Sequence, residues 1–185
     1  GDLKTNKSAS LTDLVTTVNA YSKELSELNV AVSQSVANTQ AANALLDRRG
    51  YVADQLAAAV GGSFLTNDAN QLSVTLGGGT IVGPSTYATL QVASSGGTTS
   101  LQWVSDSSTA TVSSGTANGY LTALNTTVDS WTTTLNAVAS AVTTQVNAVQ
   151  TTGFDRDGNA GNNLFTGTTA ATISVALTDG DDIAA

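Results

Sequence analysis

From Ser10 the apolar residues Leu11, Leu14, Val18, Tyr21, Leu25, Leu28 and Val32 follow one another at alternating intervals of three and four. A mean spacing of 3.5 residues returns to the same side of an α-helix at every turn, so the pattern predicts a helix with one apolar seam and a partner to cover it. Ser10 and Asp13 have capping-box spacing, with Asp in place of Glu, which predicts a helix start at Ser10. The polar run Ser33 to Gln40 predicts a turn, with Asn38 or Thr39 as cap of a second helix. That helix carries Leu45, Leu46, Val52, Ala53, Leu56 and Val60 and ends at Gly61-Gly62, where glycine accepts the left-handed conformation. Two helices joined by a short polar turn pack antiparallel.

Between Ser63 and Ser114 the period falls to two. Leu72, Val74 and Leu76, then Ile81-Val82, Leu90 and Val92, and Leu101 with Trp103-Val104 lie in short Thr-rich runs punctuated by glycine clusters, predicting a small antiparallel meander. Helical spacing then resumes through Leu121, Leu124, Val128, Trp131, Leu135, Val138 and Val142 and continues to Val149, with Gly153 as the expected end. Trp131 falls on this seam and is assigned to the core, while the Thr, Ser, Asn and Gln residues between Thr132 and Thr152 are assigned to the outer face. Alternation at Ile173, Val175 and Leu177 predicts a last strand. The fold class is therefore α+β. The expected layout is a helical hairpin over 1–62, a β-meander over 63–114, a long third helix over 115–153, and an Asp/Gly loop with a returning strand over 154–185.

Composition narrows the chemistry. The 185 residues contain no Cys, His or Met, and Thr and Ser make up fifty of them. Thiolate nucleophiles, disulfides, thiolate zinc sites and imidazole-based triads are excluded. With six Lys plus Arg against fourteen acidic residues, the chain also has no clustered basic surface for phosphate neutralisation, so nucleic acid is not an expected partner. No apolar stretch is long enough to span a bilayer, so no membrane contact is expected.

The remaining polar motifs have modest readings. Asp155, Asp157 and Asn159 place oxygen atoms at alternate positions as calcium loops do, but the glycine and glutamate that an EF-hand loop needs are replaced by Ala160 and Thr166. A metal-free Asp/Gly turn is the favoured reading. Asp47, Arg48 and Arg49 read either as an interface anchor or as a solvated helix face. Gly77 to Gly79 lie between two strands, the wrong setting for a phosphate loop. No catalytic residue, metal or cofactor is assigned.

Several segments, in order, resemble the flagellar hook-associated protein 1 family of the hook–filament junction. These are Leu25-x-x-Leu28-Asn29; Ala42-Asn43-Ala44-Leu45-Leu46-Asp47-Arg48-Arg49, similar to the family's Asn-Asp-Leu-Leu-Asp-x-Arg-Asp; the strand pair around Leu72 to Val82; Gly153-Phe154-Asp155-Arg156-Asp157-Gly158-Asn159 through Leu164-Phe165; and Ile173 to Ala185. Gly50 departs from the pattern where the family carries Asp, and only Thr166 to Thr172 stand where some relatives insert a β domain. The resemblance implies a non-enzymatic adaptor of the bacterial flagellum, exported without a cleaved signal peptide. It implies the hook protein, hook-associated protein 3 and copies of itself as partners. It also implies that this chain is an internal part lacking the terminal polymerising segments, and hence monomeric in isolation. The alternative is an adhesin or glycan-binding module using Trp103 on a Thr-rich sheet.

Overall fold

The structure, a computed structural model, describes residues 2–35 and 39–184. It divides into two compact units, residues 1–126 and 127–185.

In the first unit α1 runs from Asp2 to Gln34 and α2 from Gln40 to Val60. At 1.5 Å per residue α1 is about 50 Å long. It begins eight residues before the expected Ser10 start, because Ser10 does not cap. Its hydroxyl donates to the Asn6 carbonyl one turn back, as Thr12 does to Ser8. Such back-bonding satisfies a Ser or Thr inside a helix and removes its value as a stop signal. Thr39 does cap α2, its side chain accepting the Ala42 N–H, and Asn38 lies outside the described residues. Gly61, at φ +68°, closes α2 with its N–H on the Ala57 carbonyl.

Of the predicted seam, Leu11, Val18, Leu25, Leu28 and Val32 are buried on α1, with Leu14 and Tyr21 half-buried. Val15, Ser22 and Asn29 share the same buried side. On α2, Val52 and Leu56 are buried and Leu45 is half-buried. Val32 apart, the apolar side chains among these form one core with Val74, Leu76, Ile81, Val82, Leu90, Leu101 and Trp103.

The β segment is two sheets rather than one meander. Strands β1 (Ser63–Thr66), β2 (Leu72–Leu76) and β3 (Gly79–Val82) form an antiparallel sheet in sequential order; β4 (Leu90–Ser95) and β5 (Thr98–Trp103) form a separate hairpin. Gly96 and Gly97, both at positive φ, make the hairpin turn between Ser95 and Thr98. Trp103 is buried, and a Cβ on Gly79 would stand 2.5 Å from its ring, so Gly79 is the residue that lets the indole lie against β3.

The expected third helix is interrupted. It comprises α3 (Gly115–Thr122), a π turn over Ala123–Thr127, and α4 (Val128–Gln150). Leu124 is buried and Leu121 half-buried in the first unit. In the second unit, the backbone after α4 returns through the two-residue strands β6 (Phe165–Thr166) and β7 (Ser174–Val175) and a 3₁₀ turn at Gly180–Asp182. The last strand is thus shorter than the alternation of Ile173, Val175 and Leu177 suggests.

Candidate functional site

The polar residues that organise this molecule are asparagines on helices. Each of four grips both the N–H and the C=O of one residue in a β segment. Asn19 Oδ1 accepts the Leu90 N–H at 2.8 Å while its Nδ2 donates to the Leu90 carbonyl at 2.9 Å. Asn29 accepts from Leu72 N–H at 2.9 Å and donates to the Leu72 and Gly83 carbonyls at 2.6 and 3.2 Å. Asn125, within the π turn, holds Thr99 at 2.8 and 2.7 Å. Asn147 holds Phe165 at 2.9 and 2.8 Å. A carboxamide has one acceptor and one donor arm spaced like a peptide group, so it substitutes for a neighbouring strand. Backbone groups that short sheets leave over are paired in this way without further strands.

The second unit uses the same chemistry along one side of α4. Asn136 Oδ1 accepts from Ala170 N–H, Thr143 Oγ1 donates to the Gly167 carbonyl, and Gln150 Nε2 donates to the Asp182 carbonyl. With Asn147 these residues recur at helical spacing, and Ala139, Thr143 and Gln150 are buried. Of the polar residues assigned to the outer face, Asn136, Thr143, Asn147 and Gln150 therefore lie on a packed side, whereas Thr132, Thr133, Thr134, Thr144 and Gln145 are exposed. The returning segment is mostly irregular, and its backbone groups call for polar partners rather than methyl groups.

The apolar seam of α4 behaves in the opposite sense. Trp131 is 58%, Leu135 59%, Val138 57% and Val142 41% exposed, while Val128 is half-buried. Their spacing predicts a core position, yet among the described residues nothing closes over them. Trp103, by contrast, offers no exposed platform for a sugar ring, being 6% exposed.

Asp47, Arg48 and Arg49 do not act together. Asp47 is exposed. Arg48 bridges to Glu24 of α1 at 2.6 Å and lies over the Tyr51 ring, and the Glu24 hydrogen bond holds its pKa above the ordinary value. Arg49 is buried and donates to the Asn70 carbonyl and, at 3.0 Å, to Asn70 Oδ1; burial lowers its pKa. Its target, Asn70, sits at φ +56° in the β1–β2 turn. Arg49 is thus a strut from α2 to a turn. Periodicity points to neither role, since the partners lie 24 and 21 residues away.

The Asp155 loop is a closed turn. Asp155 Oδ1 accepts the N–H groups of Asp157 and Asn159 at 3.0 and 2.7 Å, and Oδ2 accepts Asn159 Nδ2 at 3.0 Å. The Asn159 side chain first, then these backbone donors, lowers the Asp155 pKa below its ordinary value. Asp157 and Asn159 serve the turn, and among the described residues no cluster of three acidic side chains converges as a metal site would require. Arg156 pairs with Asp181 at 3.1 Å in the open.

Long helices pinned by side-chain amides to small sheets, with titratable groups dispersed, define a structural helical domain of the α+β class. The chain belongs to the FlgK family: the model of the flagellar hook-associated protein FlgK helical domain matches residues 1–165. It is similar in structure to the flagellar hook junction protein FlgK from Burkholderia pseudomallei, with 27% identity and a TM-score of 0.70. That match covers 89% of this chain and 32% of the other, so the chain spans about a third of that relative's length. No curated protein matches.

Proposed function

We propose that this chain is the helical domain of a structural, non-enzymatic subunit at the flagellar hook–filament junction, outside the cell. The observation that carries the reading is the FlgK helical-domain match over residues 1–165. In this reading the layout is a rod of helices with a β excursion. The helices make axial and lateral subunit contacts and the sheets of residues 63–103 project outward. Its partners are the hook protein, hook-associated protein 3 and copies of itself, and export proceeds without a cleaved signal peptide. The surface supports such a role. Polar Thr and Ser faces suit many weak contacts that add up over a ring of subunits.

Deletion of the gene in its source bacterium tests the reading. A junction adaptor predicts cells with hooks but no filaments, and filament subunits released into the medium. Normal filaments on the deletion strain refute it.

A further inference from the structure

We propose that the groove between α2 and the free edge of β1 receives an extended segment of another protein by strand addition, one that carries an acidic and a basic side chain two positions apart. In the sheet order β1–β2–β3, strand β1 has a neighbour on one side only. The Asn67 N–H donates to the Gln71 carbonyl, and the ladder alternates from there. Leu65 and Ser73 therefore form a bonded pair, while Phe64 and Thr66 turn their N–H and C=O groups outwards. The same alternation leaves the backbone groups of Leu72, opposite Thr66, to Asn29. Among the described residues the outward groups of Phe64 and Thr66 have no partner. Free edges are ordinarily blunted by charge, proline or a bulge, and Ser63–Thr66 has none of these.

Beside this edge lies a groove of about 350 Å³, within the range of ligand-binding clefts. Its floor on α2 is Leu46, Gly50, Ala53 and Ala57, which recur at intervals of four, three and four and so share one side of the helix. From Leu46 to Ala57 the helix rises about 16 Å, the length of about five strand residues. A Cβ on Gly50 would meet nothing within 4 Å, so the floor is open there.

Charge describes the occupant. Arg49 and Asp54 flank the floor on opposite sides, about 140° apart around α2. Arg49 is 8% exposed, and its bonds to Asn70 use two of the five guanidinium N–H donors. Among the described residues no carboxylate pairs with it. A buried cation without a counter-charge is costly, and a carboxylate entering the groove relieves that cost. Asp54 is exposed on the other wall, about 7.5 Å further along the helix axis, a rise that two strand residues nearly match. An acidic side chain on Arg49 thus brings the residue two positions away, which points to the same face, beside Asp54, where a cation fits. The residue between them turns to the opposite face, next to Leu65, which is 72% exposed, so an apolar side chain suits it. The pattern favours a different protein over a second copy, because among the described residues no strand of this chain contains a charged side chain. None of this depends on where the protein sits in the flagellum.

Proton–nitrogen NMR of the 185-residue chain, titrated with the capped peptide Thr-Glu-Val-Lys-Thr, reads the Phe64 and Thr66 amides directly. The expected result at millimolar peptide is a saturable downfield shift of both, with slowed hydrogen exchange. The neutral peptide Thr-Gln-Val-Gln-Thr should bind roughly tenfold more weakly. Gly50→Leu puts a helix former into open space, so it should keep or raise the melting temperature while abolishing both shifts. Absence of saturable shifts at Phe64 and Thr66 overturns the proposal, as does equal binding of the two peptides or undiminished binding to a folded Gly50→Leu chain. Shifts of the same amides on concentrating the chain alone identify a second copy as the occupant and overturn it too.

Discussion

Asn29 is the position where a single side chain holds the most. It has no exposed surface, and its amide serves the Leu72 N–H, the Leu72 carbonyl and the Gly83 carbonyl. In Asn29→Ala these three backbone groups lose their partner at once. Leaving one buried polar group unpaired costs about 1–3 kcal/mol. Water entering the space left by the amide recovers part of that, so the loss falls at about 3–5 kcal/mol rather than at the full sum. Asn29→Asp separates the arms of the amide: Oδ1 can still accept from Leu72, but a carboxylate faces two carbonyls where a donor stood. Burial and those carbonyls raise the pKa of the introduced carboxyl above its unfolded value of about 3.9. The folded state then binds more protons than the unfolded one, so stability relative to the parent is best at low pH and falls as pH rises through the folded pKa. Urea unfolding is followed through Trp103, in a Trp131→Phe background that silences the second unit. With a slope of about 2 kcal/mol/M, Asn29→Ala should lower the midpoint by about 1.5–2.5 M. A shift below about 0.3 M, or a pH-independent deficit in Asn29→Asp, refutes the clamp as an energetic element.

Two further outcomes are expected. Leu28→Asp buries a charge in the first core and should cost several kcal/mol, whereas Leu135→Asp, on the exposed α4 stripe, should stay within about 1 kcal/mol in this chain; thermal melts of the two variants read the contrast. The Asp155 turn should stay ordered down through the ordinary carboxylate range and loosen only as pH falls through the lowered Asp155 pKa, since a group with a depressed folded pKa stabilises only while ionised; the Asn159 amide resonance in NMR follows it, and a transition at or above the ordinary range contradicts the bonding described.

The helical hairpin is written in the sequence because it obeys one rule, apolar residues on one side, and α1 and α2 bury what that rule selects. Turn glycines likewise mark β2–β3 and β4–β5. The start of α1 is misplaced by Ser10 and Asp13, since capping-box spacing also arises inside helices where hydroxyls bond back to carbonyls. The π turn is invisible because Leu121, Leu124 and Val128 keep the three–four spacing across it. What sets the turn apart is Asn125 reaching Thr99, a contact 26 residues away that no local period encodes.

The Asn clamps leave one readable trace, and it explains why the α4 faces exchange roles. Asn29 lies between Leu25 and Val32 on a mostly apolar stripe, and an amide there, too long to bond back to its own helix as Ser22 does, must either be unsatisfied or bonded to something the helix packs against. The same reasoning applied to α4 reaches further. Asn136, Thr143, Asn147 and Gln150 recur on one side, too regularly for residues that merely face water. Hydrophobic patterning treats that stripe as outside because it ranks residues by affinity for water alone. A helix packed against irregular backbone is selected for donors and acceptors, and a helix packed against another helix for methyl groups. Helix α4 carries both stripes, the polar one bonded to the returning segment and the apolar one, from Trp131 to Val142, left exposed.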